Sequence, residues 1–166
     1  MLAPSFNTLS SAKSTFYSSK INYKQAGAMA DEYEVFIGAN VRGYHAHFKD
    51  ATVVICEVLM CERELDNAYD KYAVAVNNEQ GKVVGHVPKE LSKVFAQFIR
   101  NGGKVEAECI GTRYNRGEGK GLEFPGDYKL SGNKKYLEKL VSSIKNKETT
   151  CNLNISGFRE CQDRNS

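Results

Sequence analysis

Two neighbouring stretches carry the strongest structural information in this sequence: Cys61–Val76, CERELDNAYDKYAVAV, and Gly81–Pro88, GKVVGHVP. The first begins with an acidic loop, Glu62–Asp70, and ends in an apolar strand at Tyr72–Val76. The turn Asn77–Gly81 contains the Asn and Gly residues that favour hairpin turns, and it leads into a second apolar strand. The two stretches therefore predict a β-hairpin that follows an acidic loop.

The hydrophobic pattern becomes helical directly after this hairpin. Pro88 suits the first turn of a helix. Apolar residues then follow at helical spacing on one side: Leu91, Val94, Phe95, Phe98 and Ile99. Gly102 and Gly103 end the pattern. We therefore expect one helix whose apolar face lies on a sheet.

Strands are also predicted before the acidic loop. One begins near Glu32 and is expected to continue after Gly38 through Val41–Phe48. The β-branched apolar run Thr52–Met60 is the strongest strand signal in the chain. These two segments would supply the first part of the sheet.

After the helix, alternating residues at Lys104–Gly111 predict a strand, and a glycine-rich loop follows at Thr112–Gly121. A last strand is expected at Leu122–Leu130, with a break at Pro125-Gly126. An amphipathic helix with a basic outer side is expected at 133–146.

About six short strands with one helix between the fourth and fifth predict a small antiparallel β-barrel, closed or half-closed. The fold class is therefore mainly β with two helices, an α+β domain. We expect a flexible arm at 1–30, a domain at 31–146 with its core at 41–132, and a disordered tail at 147–166.

Composition limits the functions to consider. The net charge is only +3, so nucleic-acid binding has to come from local groups of cations rather than from overall charge. The mean hydropathy is −0.49, and no apolar run in the sequence approaches the roughly 18 residues that a membrane span requires. We expect no membrane association.

The five cysteines are odd in number, widely spaced and without a C-x-x-C pair, so the usual zinc-ligand spacing is missing. Cys56 and Cys109 lie in apolar runs and are expected to be buried thiols. A reduced, intracellular protein fits this usage best.

The loop and hairpin resemble the core of the HIRAN domain family. In that family an acidic residue, an Asn, often an aromatic residue and then an Asp precede an apolar strand, as Asn67, Tyr69 and Asp70 do here. A Gly-bearing strand that ends in His or Tyr follows, as Gly85 and His86 do here. The resemblance covers about residues 41–132.

This resemblance implies a small OB-like antiparallel β-barrel of about six strands that binds the 3′ end of single-stranded DNA. It implies no enzyme activity, cofactor or metal of its own. The site residues that it implies are Arg42, Tyr44, Tyr69, Asp70 and His86, with Leu122 or Phe124 before the late proline. Family members include helicase-like fork-remodelling proteins, so we expect a nuclear, monomeric protein whose partner is a helicase or another repair protein. Gly43 stands where a second aromatic residue is often found.

The residues themselves suggest how such a site would work. Aromatic rings stack on bases, so we expect Tyr44 and Tyr69 to stack. Arg42, Arg113 and Arg116 would neutralise phosphates. The glycines of the loop Thr112–Gly121 allow a close approach to a phosphate chain. Asp70 would accept hydrogen bonds from a terminal 3′-hydroxyl or from base-edge N–H groups, and it would repel a 3′-phosphate. Together with His86 it would recognise the strand terminus.

Simpler interpretations of the same residues stay open. Asp70 can cap a turn, His86 can be structural, Arg42 can be a solvated strand residue, and the loop 112–121 can be a plain hairpin tip. Tyr69 and Tyr72 can be core or rim aromatics. A protein-interaction domain on the same fold is the second hypothesis.

Metal sites are the remaining alternative. An acidic group could hold a divalent ion in a nuclease-like site, namely Glu62, Glu64, Asp66 and Asp70. His45 and His47 could bind a metal together with Cys56 or Cys61.

Overall fold

The computed structural model describes residues 32–146 and the strand Asn154–Glu160. The expected flexible arm at 1–30 lies outside the described residues, as do the parts of the tail at 147–153 and 161–166. Within the described part of the chain, no helix is long and apolar enough to cross a membrane.

Strands dominate the described residues. They are β1 (Glu32–Val41), β2 (Val58–Arg63), β3 (Val74–Asn77), β4 (Val83–His86), β5 (Lys104–Cys109), β6 (Tyr114–Asn115), β7 (Leu122–Asn133) and β8 (Asn154–Glu160). The α-helices are α1 (Lys89–Arg100) and α2 (Lys134–Lys145), and a short 3-10 helix covers Tyr44–Ala46. The predicted fold class, mainly β with two helices, is confirmed.

All strand pairs are antiparallel, in the order β4-β3-β2-β5-β7-β1-β8, and β6 pairs with β7. The ladder is open, so the structure is not a fully closed barrel. A single bridge nevertheless connects β4 to the residue after β1: Arg42 N donates to His86 O at 3.0 Å, and His86 N donates to Arg42 O at 2.8 Å. This bridge brings the two ends of the six-stranded arc together at one point.

The hairpin β3–β4 and helix α1 agree with the sequence prediction. Pro88 directly precedes the first helical residue, and the apolar face of α1 is buried. Phe95 packs edge-on against Tyr128 of β7 with ring centroids 5.4 Å apart, and both residues are fully buried. The helix therefore covers the inner face of the sheet, as its spacing predicted.

The strand predicted at Thr52–Met60 is displaced toward the C-terminus, since β2 begins only at Val58 and runs into the predicted acidic loop. Cys56 has a φ of 70°, a left-handed conformation that interrupts an extended strand. Its N–H donates to Cys109 O at 2.7 Å, which holds the turn in place. The expectation that Cys56 is buried is wrong, whereas Cys109 is buried as predicted.

Two other strand boundaries differ from the prediction. The first strand ends at Val41, because Gly43 adopts a φ of 79° and turns the chain into the 3-10 helix. The last strand, β7, continues through Pro125-Gly126 without a break. Pro125 lies just beyond the last β5 pair, Cys109 with Gly126, and its carbonyl still accepts from Ile110 N at 3.1 Å. The ladder therefore tolerates the missing N–H.

A strand also lies in the C-terminal segment for which we expected disorder. Strand β8 pairs antiparallel with β1, with Tyr33 opposite Glu160 and Gly38 opposite Asn154. The expectation of disorder is therefore wrong for residues 154–160, because β1 offers them an edge for backbone hydrogen bonds.

Candidate nucleic-acid interface

The site forms where the end of β1 meets the end of β4. A Cβ on Gly85 would lie 2.6 Å from Arg42 O and 2.7 Å from Val41 Cγ1, so only glycine allows this close approach. The left-handed Gly43 then carries the chain past His86. The bridge between Arg42 and His86 therefore places two of the predicted site residues side by side.

Arg42 is held by two carboxylates. Its Nη1 donates to Glu90 Oε2 at 2.9 Å and to Glu90 Oε1 at 3.1 Å. Its Nε lies 3.7 Å from Glu123 Oε1. Arg42 is thus only partly a solvated strand residue, because its side chain is 32% exposed and ion-paired on two sides.

Glu123 is an almost completely buried carboxylate, with its side chain 2% exposed. Asn40 Nδ2 donates to its Oε2 at 3.1 Å, and Arg116 Nη1 lies 3.5 Å from its Oε1. A buried charge without such partners is strongly unfavourable. Glu123 is therefore a common ion-pair partner that holds Arg42 and Arg116 next to each other.

Glu90 lies in the first turn of α1 and is more exposed, at 42% of its side chain. Burial acts to raise the pKa of Glu90, but its own backbone N–H, the Arg42 guanidinium and Arg116 together hold that pKa below its usual value. Glu90 is therefore ionised at neutral pH and neutralises part of the charge of Arg42.

His86 is connected to the loop between β2 and β3 through Glu64. His86 Nε2 lies 3.1 Å from Glu64 Oε2, and Asn67 Nδ2 donates to the same oxygen at 2.7 Å. Burial acts to raise the pKa of Glu64, but the Asn67 hydrogen bond and the interaction with His86 lower it overall. The His47 ring lies 6.0 Å from the His86 ring. Burial and the nearby His86 lower the pKa of His47.

The same loop is organised by two side-chain turns. Asn67 Oδ1 accepts from Tyr69 N at 2.9 Å and from Asp70 N at 3.0 Å, and Asp70 Oδ1 accepts from Tyr72 N at 2.8 Å. Asp70 thus caps a turn, the structural role that the sequence left open. Tyr69 projects fully into solvent, so both faces of its ring are free to stack.

Tyr44, Phe124 and Arg113 form a separate group. Tyr44 and Phe124 are only 1% and 2% exposed and pack edge-to-face with centroids 5.6 Å apart. The Arg113 guanidinium lies 5.9 Å from the Tyr44 ring centroid, and Arg113 Nη1 donates to the Tyr44 hydroxyl at 3.5 Å. The expectation that Tyr44 stacks on a base is wrong for this conformation, because its ring is buried.

These three side chains line part of a cavity of about 400 Å³. Val53 and Ile55 form another part of its wall. Tyr44 therefore shapes an apolar wall beneath Arg113 rather than presenting an open face.

The predicted site residues fall into three connected groups: Arg42, Arg116 and His86 around the bridge, Tyr69 and Asp70 in the loop, and Tyr44, Arg113 and Phe124 at the cavity. The sequence interpretation missed Asn40, Glu90 and Glu123, and it treated Glu64 and His47 only as candidate metal ligands. A carboxylate near the end of a strand or in a first helical turn normally points to water, so the sequence has no signal for these ion pairs.

The acidic group considered as a metal site is dispersed. Glu62 Oε2 accepts from Asn77 Nδ2 at 3.2 Å, whereas Glu64 faces His86. His45 lies against Gly121, while His47 faces His86. Among residues 32–146, no group of three or more His, Cys, Asp or Glu side chains is placed to hold a metal ion.

Known proteins resemble this chain over the same region. The sequence model of the HIRAN domain matches residues 35–117. Helicase-like transcription factor of Homo sapiens is 33% identical over 73 residues, which is 43% of this chain and 7% of that protein. The Mus musculus protein of the same name is 32% identical over 73 residues, with the same shares. The matched region thus spans a small fraction of these relatives.

Solved structures extend the comparison to the fold. The crystal structure of the HIRAN domain of human HLTF has a TM-score of 0.58 at 23% identity and covers 70% of this chain and 92% of that one. The NMR structure of the HLTF HIRAN domain in its DNA-bound conformation has a TM-score of 0.50 at 25% identity, covering 67% and 86%. The family match over half of the sequence and the shared fold agree, and the chain belongs to the HIRAN domain family.

Proposed function

We propose that this chain is a non-catalytic module that binds single-stranded DNA, with a preference for a free 3′-hydroxyl end. The observation that carries the proposal is the likeness to a HIRAN domain in its DNA-bound conformation. The chain supports it with three arginines around one end of the sheet, Arg42, Arg113 and Arg116, and with an exposed Tyr69. Cations for phosphates and a free aromatic ring for a base are the two requirements of single-strand binding.

Each group of side chains has a role in this proposal. Arg42, Arg113 and Arg116 neutralise phosphates, and Tyr69 stacks on a base. Asp70 and His86 read the strand terminus. Asp70 Oδ1 is already occupied by Tyr72 N, so Oδ2 is the atom proposed to accept from a 3′-hydroxyl. A terminal phosphate would repel the same carboxylate.

Fluorescence anisotropy with a labelled single-stranded oligonucleotide tests DNA binding. The wild type is expected to bind with an affinity that falls steeply as salt is raised, because phosphate contacts release counterions. Tyr69→Ala should weaken binding by about 1–3 kcal/mol, the usual contribution of one stacked base. Leu65→Ala, which removes another exposed side chain of the same loop, is the matched control and should bind like the wild type. No binding by the wild type at low salt would refute the proposal.

The wider role follows from the names of the relatives. We propose that the module works in the nucleus beside a helicase or another DNA-repair protein and that it is a monomer. This rests on the helicase-like transcription factors that share its sequence over 73 residues. Co-purification with nuclear helicases and light scattering would test the two statements. A cleavage assay with added Mg²⁺ or Mn²⁺ tests the non-catalytic part, since cleavage would contradict it.

One observation favours the second hypothesis, a protein-interaction domain. Several large apolar side chains near the start of β2 are exposed: Val54, Ile55, Val58 and Ile110. The main chain joins them, because Cys109 N donates to Glu57 O at 3.0 Å. Exposed apolar groups of this kind often mark protein contacts. A peptide complex at this surface would depend only weakly on salt, in contrast to DNA binding.

A further inference from the structure

Arg42 is shared by two carboxylates that differ in burial. Glu123 is 2% exposed and is held by Asn40, Arg42 and Arg116. Glu90 is 42% exposed and is held by Arg42 through both of its oxygens. One carboxylate is therefore fixed in the interior, while the other lies at the surface in the first turn of α1.

The four charges balance. Two arginines, Arg42 and Arg116, face two carboxylates, Glu90 and Glu123, so this part of the site carries no net charge. A DNA phosphate that approaches Arg42 meets a guanidinium already neutralised, and it meets the repulsion of Glu90. Phosphate binding at Arg42 therefore requires one carboxylate to move away.

The two carboxylates are not equally free to move. Releasing Glu123 would leave a buried negative charge and remove the common partner of both arginines, which is strongly unfavourable. Releasing Glu90 moves an exposed side chain into water, and an exposed ion pair contributes little to stability. Glu90 is thus the side chain that a phosphate can displace.

We infer that Glu90 competes with a DNA phosphate for Arg42, while Glu123 positions Arg42 and Arg116 to receive that phosphate. This inference rests on the proposed DNA-binding function. Competition by Glu90 weakens the phosphate contact at Arg42, so only a strand that also engages other parts of the site, such as Tyr69, binds well. Glu90 is therefore a specificity-determining residue, and Glu123 is a positioning residue.

The two carboxylates should respond oppositely to the same change. Glu90→Gln removes the competitor and should tighten binding of single-stranded DNA by about three- to tenfold, the range set by breaking one exposed ion pair and removing one like charge. Glu123→Gln should weaken binding, although it makes the same change in net charge. Glu79→Gln is the matched control, because Glu79 is exposed at the turn of the β3–β4 hairpin, opposite the end that carries His86. It should bind within about twofold of the wild type, since a distant exposed charge is largely screened.

NMR of the Arg42 guanidinium N–H groups adds a readout on the competition itself, because Arg42 Nη1 is the atom that Glu90 holds. Added DNA should shift the wild-type Arg42 signal toward its position in free Glu90→Gln, which an ion pair that DNA does not displace would not do. The inference is overturned if Glu90→Gln binds no tighter than Glu79→Gln while the wild type binds DNA. If neither the wild type nor Glu90→Gln binds DNA, the proposed function and this inference both fail. Because Glu90 is exposed, its variant is expected to fold normally, and a thermal unfolding curve checks this.

Discussion

The bridge between Arg42 and His86 makes Gly85 the most sensitive position near the site. In Gly85→Ala, the new Cβ would lie 2.6 Å from Arg42 O and 2.7 Å from Val41 Cγ1, closer than a methyl group can approach backbone. Relief of this clash requires the β1 end and β4 to separate, and overpacking of this kind costs about 1–3 kcal/mol. The two bridge hydrogen bonds contribute about 0.5–1.5 kcal/mol each. We therefore expect the free energy of unfolding to fall by about 2–6 kcal/mol.

Urea unfolding and DNA anisotropy together test this prediction. Gly81→Ala is the control, because Gly81 has a φ of +74° and open space around it. That substitution should cost about 1–2 kcal/mol through left-handed strain alone and should leave DNA affinity unchanged. Gly85→Ala should lower both stability and affinity, because it displaces Arg42 and His86. A Gly85→Ala protein as stable as the wild type, or an equal loss of affinity in both variants, would show that Gly85 does not hold Arg42 and His86 in place.

Two further predictions concern stability. Phe95→Ala should lower the free energy of unfolding, measured by urea unfolding, by about 3–5 kcal/mol, because it leaves a cavity beside the buried ring of Tyr128. A loss below about 1 kcal/mol would contradict the packing of α1 against the sheet. The lowered pKa of Glu64 implies a stabilising contribution that is present above its ordinary value of 4.5 and is lost as the pH falls through the lower folded-state pKa. The stability difference between the wild type and Glu64→Gln should therefore shrink in acid. A difference constant from neutral pH to acid would argue against the interactions of the Glu64 carboxylate with Asn67 and His86.

Local patterns predicted the hairpin β3–β4 and helix α1 correctly, because turn residues and apolar spacing act within a few residues. The strand prediction for Thr52–Met60 was wrong at its start because of a contact with a residue distant in sequence. Its β-branched residues favour a strand, but the hydrogen bond from Cys56 N to Cys109 O holds a left-handed turn within it. Strand β8 was missed because its pairing depends on the distant edge of β1.

The sequence named several residues of the candidate site but not the side chains with which they interact. The resemblance named Arg42, His86 and Asp70 as site residues, and the bridge brings the first two together. The partners that set their charge, Glu90 and Glu123, come from an exposed helical turn and from a late strand. Neither position differs in sequence from an ordinary solvated carboxylate, so only the folded arrangement reveals them.

Recognition of a free 3′-hydroxyl is tested directly by comparing two oligonucleotides that differ only at the 3′ end. The same oligonucleotide sequence is measured by fluorescence anisotropy with a 3′-hydroxyl and with a 3′-phosphate. The wild type should bind the hydroxyl form more tightly by about tenfold, because the phosphate form loses one hydrogen bond to the Asp70 carboxylate and is repelled by it. Asp70→Asn keeps an acceptor for Tyr72 N but removes the negative charge, so it should reduce this preference without unfolding the loop. Equal affinity of the wild type for the two ends would contradict recognition of the 3′-hydroxyl.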